Sequence, residues 1–170
     1  MSIRTCPLPQ GSLLSRYAAA GAYTDCYATE LPTSVTQAEF VQAFYTGAVF
    51  RIERLLIRLF LARPSTDAQV RQLAAGEADE FAAWRVEGRT ADELLLCDIA
   101  GRTRSWLMAA PHGTGTRLHF GSAVVPTRDR ATGEARMGVV FRALLGFHQL
   151  YSRVLLGAAR RRLMRTRAQS

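Results

Sequence analysis

The final stretch of the chain, 137 to about 164, limits what the rest can fold into, because it reads as one long amphipathic helix whose apolar stripe needs a broad surface. At about 100° per residue from Val140, the side chains of Leu144, Phe147, Tyr151, Val154, Leu155 and Ala158 fall on one side. Arg142, Gln149, Arg153 and Arg160 fall on the other. Such a stripe predicts a sheet beneath it. His148 and the Tyr151 hydroxyl are the most polar groups near the stripe, so the layer between helix and sheet is expected to hold more than hydrocarbon.

Upstream segments predict that sheet. Strand formers fill 23–31 up to Pro32, and alternation places Tyr23, Asp25 and Tyr27 on one face and Thr24, Cys26 and Ala28 on the other. Thr36 followed by Glu39 is a capping-box spacing, so a helix should start there and carry Phe40, Val41 and Phe44 inward until Gly47 breaks it. A second helix is expected over about 48–61, with Glu53 at the border of its apolar arc. A buried Glu53 needs a partner; otherwise it swings out to Arg54, Arg58 or water. A shorter helix runs from 64 to about 75 and ends at Gly76. Four strand-like runs follow, at 80–87, 94–99, 102–109 and 116–125, separated by turn stretches, and a loop over 127–136 delivers the chain to the last helix.

Strand, helices, meander and long helix together predict an α+β fold: a curved antiparallel sheet of about five or six strands gripping the C-terminal helix. At 170 residues the chain suits one core. The domain is expected over 22–165, with 1–21 a loosely attached arm rich in Pro and Gly and 166–170 a basic tail. No apolar run has the length of a membrane span and the first residues lack a signal-peptide core, so a cytoplasmic protein is expected. Cys6, Cys26 and Cys97 have no close-pair spacing, which argues against a structural zinc site or a disulfide framework.

The net charge of +8 comes from arginine alone, the chain having no lysine, which weakens it as a sign of a selected basic face. Arg160, Arg161, Arg162, Arg165 and Arg167 cluster at the end of the last helix, where cations complement the helix dipole; contact with phosphate or an anionic membrane surface through Arg160, Arg161 and Arg162 is the alternative. Aromatic residues do not alternate with arginines as on an RNA-binding sheet, so no nucleic-acid partner is expected.

The same order of elements, with Tyr23-Thr24-Asp25-Cys26-Tyr27, Phe44-Tyr45-Thr46, Arg102-Thr103-Arg104-Ser105-Trp106 and Phe120-Gly121-Ser122, resembles a bacterial family of uncharacterised domains associated with the START-like helix-grip superfamily. That superfamily includes pollen allergens, lipid-transfer domains and polyketide cyclases. The resemblance covers roughly 23–163 and implies a cavity between sheet and last helix for an apolar or amphipathic small molecule.

On this reading the walls are Phe44, Trp84, Trp106, Phe120, Phe147 and Tyr151, with Tyr23 beside them, and the orienting groups are Asp25, Glu53, Arg104 and His148. Arg104 shares a strand face with Arg102, Trp106 and Met108. Either that face looks at the helix, Arg104 paired with Asp25 or Glu53, or it looks away and leaves Ser105 and Leu107 inside. The runner-up function is a cyclase, hydrolase or isomerase-like enzyme using His148 with an acidic partner, Asp25 and Tyr151 being the other catalytic candidates; a structural or partner-binding domain with a filled core is the third. A Cys26 or Cys97 nucleophile with His148 and Asp25 has no motif behind it. His112, His119 and His148 form no pair at ligand spacing, so neither metal nor cofactor is expected.

Overall fold

Capping and turn chemistry account for most element boundaries in the computed structural model, which describes residues 2–47, 49–50, 65–128, 135–136 and 139–168, with side chains outside 127–128, 135–136 and 139–145. In chain order the elements are β1 (Arg4–Thr5), α1 (Ser15–Ala19), β2 (Tyr23–Leu31), α2 (Gln37–Tyr45), α3 (Asp67–Ala75), β3 (Glu80–Phe81), β4 (Trp84–Arg89), β5 (Glu93–Asp98), β6 (Thr103–His112), β7 (Gly115–Val124), β8 (Thr127–Arg128), β9 (Ala135–Arg136) and α4 (Val139–Ala168). The Thr36 hydroxyl accepts from the Glu39 amide while Glu39 reaches back to the Thr36 N–H, which is the expected capping box of α2. Thr66 and Gln69 form a second one on α3, and Gly76, at φ +82°, ends that helix in the left-handed region. Of the expected helix over 48–61 only 49–50 are described, both helical; the rest lies outside the described residues.

Seven antiparallel strands form one open sheet in the order β1-β2-β7-β6-β5-β4-β3. The expectation of five or six was short because two edge strands have only two residues each, too few for any periodicity. One of them comes from the run at 80–87, which is not one strand: Ala82, at φ +53°, turns the chain so that Phe81 pairs with Trp84. The expected loop over 127–136 contains a small pair, β8 with β9.

Both faces of the sheet are covered, and alternation sorts the side chains between them. Tyr27, Leu94, Leu96, Leu107, Leu118 and Phe120 point to the inner face and join the main core with Phe40, Phe44, Leu155, Leu156 and Ala159 of the helices. There α4 lies over β2 and β7 and against α2, while α2 lies over β6 and α3 packs on α2 and β3. Cys26, Leu95, Trp106 and Ala123 point to the outer face and form a second core with Leu14.

That outer core changes the reading of 1–21. β1 hydrogen-bonds to β2, the side chain of Leu14 is fully buried, and Leu8, Leu13 and Tyr17 pack around it, so the segment is a covering layer rather than a loose arm. Gly121 makes the close approach possible. A Cβ there would stand 2.7 Å from the Asp25 carbonyl oxygen, 2.8 Å from Leu14 and 3.0 Å from Trp106.

The stripe of α4 is turned from its expected setting. His148, Ser152, Leu155, Leu156, Ala159 and Leu163 face the protein, whereas Phe147 and Val154, expected inside, are 65% and 40% exposed. Several arginines of the helix bond to the protein's own backbone: Arg160 to the Glu30 carbonyl, Arg162 to that of Thr46, and Arg167 to that of Ser34. Among the described residues, no helix is long and apolar enough to cross a membrane.

Candidate functional site

Asp25 is the polar centre of the inner face. Its register opposite Ser122 on β7 places the two side chains together, and the carboxylate accepts from the Ser122 amide at 3.0 Å and the Ser122 hydroxyl at 2.7 Å. His148 comes down from α4 so that its Nε2 lies 3.3 Å from the second carboxylate oxygen and 2.8 Å from Ser122 Oγ. The Tyr23 and Tyr27 hydroxyls lie at 3.4 Å from that same oxygen. Burial pushes the Asp25 carboxyl up, but the bonds from His148 and Ser122 outweigh it and hold the group below its ordinary value. Burial, and the Asp25 charge beside them, push both phenols up, which keeps them protonated.

This arrangement selects a tautomer. A lone pair on Nε2 would face a carboxylate oxygen at 3.3 Å, so Nε2 carries a proton and donates toward Asp25 and Ser122. The same nitrogen cannot also accept the Ser122 proton. Ser122, His148 and Asp25 therefore lack the relay of a serine hydrolase, in which the imidazole bridges nucleophile and carboxylate through its two different nitrogens.

Beside the cluster lies a hollow of about 150 Å³ between sheet and α4. Phe44, Phe50, Trp84, Phe120, Tyr151 and Leu155 wall it, and Ser105, Ser122 and His148 supply polar lining. Phe44 packs on Phe120 with ring centroids 4.8 Å apart. Trp84 Nε1 and Ser152 Oγ, both on lining residues, are buried with no hydrogen-bond partner among the described residues.

The structure thus brings together Asp25, Phe44, Trp84, Phe120, His148 and Tyr151 from the expected set, with Tyr23 touching the Asp25 side of the cluster. Phe147 is not in the wall; it stacks on Tyr151 from the solvent side, 6.0 Å between centroids. Glu53 lies outside the described residues. Arg104 contributes to the lining of the hollow, but its guanidinium, like the Trp106 ring, is engaged on the opposite face. Trp106 is fully buried under Leu14, and its Nε1–H donates to Glu93 at 2.6 Å, an oxygen that also accepts from the Leu13 amide at 2.7 Å. Arg104 does have its carboxylate, but it is Glu87, at 2.9 Å, with the Tyr17 hydroxyl at 2.8 Å and the Tyr17 ring beneath the guanidinium. Glu87 sits at a bulge in β4 between Val86 and Gly88, an offset that a simple alternation does not anticipate.

A comparison with protein-family models and with curated proteins finds no match to this chain.

The remaining thiol readings also move. Cys26 is on the outer face, away from His148 and Asp25, and instead meets Cys6 and His119. A hydrogen bond from Cys26 lowers the Cys6 thiol to about 5 against the effect of burial, while the same bond and burial push Cys26 up. Cys97 is buried, and its thiol donates to the Asp98 carbonyl. Ser122 and Ser152 were missed in the sequence, and Ser105 entered it only as the inward residue of one of two readings of its strand. Small hydroxyls on a strand or helix carry no periodic signal, and only the Asp25–Ser122 register reveals one of them.

Proposed function

We propose that this protein binds a small, largely apolar molecule in the hollow between the sheet and α4, with the Asp25–Ser122–His148 cluster orienting its polar end. The observation that carries the reading is an aromatic-walled hollow opening beside a carboxylate-anchored imidazole. A volume of about 150 Å³ suits a ligand of roughly one aromatic ring, since a dry cavity of about that size in another protein accepts benzene. A ligand acceptor reaching Trp84 Nε1, or any group reaching Ser152 Oγ, would satisfy a buried atom that has no partner among the described residues. The open antiparallel sheet with a long C-terminal helix across one face supports placing this pocket in the START-like helix-grip manner.

The test is a titration with phenol of the full chain carrying Trp106→Phe, so that Trp84 supplies the fluorescence, together with a native mass spectrum of the purified protein. Saturable quenching that Ser152→Leu removes by filling the hollow is expected. Absence of both retained mass and saturable quenching in the unfilled chain overturns the reading.

A second reading, acid–base catalysis by His148, is favoured by the Asp25 pairing and by an imidazole side chain that is still 25% exposed at the hollow. Here His148→Gln should keep ligand quenching while abolishing turnover of any compound found to react.

A further inference from the structure

Three soft or borderline metal donors meet on the outer face, where the sequence spacing gave no warning of them. Cys6 Sγ and Cys26 Sγ are 3.2 Å apart, and His119 Nδ1 lies 3.8 Å from the first and 3.9 Å from the second. The sheet dictates this meeting. His119 on β7 is paired with Ala28 on β2, so it is the diagonal neighbour of Cys26 on the same face. The Cys6 amide donates to the Cys26 carbonyl at 3.0 Å just beyond the β1–β2 pairing, which sets the third donor opposite the second.

We propose that Cys6, Cys26 and His119 bind one zinc-class d¹⁰ cation, as two thiolates and one imidazole with a fourth position left open. Zinc bonds of about 2.3 Å to sulfur and about 2.0–2.1 Å to nitrogen reach all three atoms from a single point, and the sulfurs need spread only by roughly half an ångström to open a tetrahedral angle. Cys26 and His119 are buried, and Cys6 is part-exposed in a groove of about 480 Å³ along the edge of β2, lined on one side by Cys6, Leu8, Ala18 and Cys26 and reaching Asp25 and Arg153 on the other. The groove gives an ion its entry path. Whatever protons the two thiols still carry leave to solvent on binding and no electrons move, so the bound dication is neutralised by its two thiolates. Cys6 belongs to the N-terminal covering segment and the other two donors to the sheet, so the ion fastens that segment down. The site shares no side chain with the hollow and lies on the other face, so the two proposals stand or fall separately.

The experiment uses the full chain, reduced with a phosphine, stripped with chelator and titrated with Co²⁺ and then Zn²⁺. One equivalent of Co²⁺ giving thiolate-to-metal charge-transfer absorption, displaced by Zn²⁺, is expected. The band should vanish in Cys6→Ser and persist in Cys97→Ser. In the unsubstituted chain, zinc should raise the thermal midpoint and protect Cys6 from iodoacetamide, two readouts that need no variant to fold. Absence of the band, its persistence in a folded Cys6→Ser chain, or a zinc-treated chain lighter by two hydrogens through a Cys6–Cys26 disulfide each overturns the site.

Discussion

Asp25 shows how one side chain sets the chemistry of a face. Its folded-state carboxyl is held below the ordinary 3.8 by bonds from His148 and Ser122 that prevail over burial. Its contribution to stability is therefore complete above the unfolded-state value and is lost as pH falls through the lower folded-state one. Asp25→Asn should lower stability at neutral pH and flatten the decline below about pH 4, as checked by urea unfolding of both chains across that range. Gly121 is the second residue whose side chain, or lack of one, matters. Gly121→Ala forces a methyl against the Asp25 carbonyl and Leu14, so a loss of about 1–3 kcal/mol is expected, with faster proteolysis of the first 21 residues at the native temperature.

At the scale of elements, α4 has two candidate inward faces, and the sheet chooses between them. Burying a phenylalanine is worth about 1.5–3 kcal/mol. Leaving the buried Asp25 carboxylate without the His148 bond costs a comparable amount, about 1.5–3 kcal/mol for a hydrogen bond to a charged group. The helix accordingly presents His148 to Asp25 and leaves Phe147 in solvent. Two substitutions read this setting directly. Phe147→Ala should change unfolding free energy by less than about 1 kcal/mol, whereas Leu156→Ala, at a fully buried position, should cost about 2–5 kcal/mol. Equal effects in the denaturation curves would put the stripe back where the hydrophobic period alone places it.

For the whole molecule, the sheet has work on both sides: a main core and hollow under α4, and a second core under the N-terminal segment. Leu14→Ala should cost about 2–5 kcal/mol because the residue fills the centre of that outer core, and a chemical-denaturation midpoint close to the unsubstituted one would mean the segment is loosely held after all. Local chemistry was legible in advance: the capping box at Thr36, the Gly76 stop, the alternation of β2, and the α+β order of strand, helices, meander and long helix all act over a few residues of contiguous chain. Asp25 and His148 were legible as candidates for the same reason, each being a polar group on an otherwise apolar face. Their partners were not. Ser122 joins Asp25 through a register 97 residues apart in sequence, Glu87 reaches Arg104 through a bulge, and Cys6, Cys26 and His119 converge from three segments with no spacing in common. Alternation says which residues share a face, but two faces of a sheet are equivalent until something packs on them. Only the packing of α4 on one side and of Leu14 on the other decided that Asp25 meets His148 and Trp106 lies in a filled core.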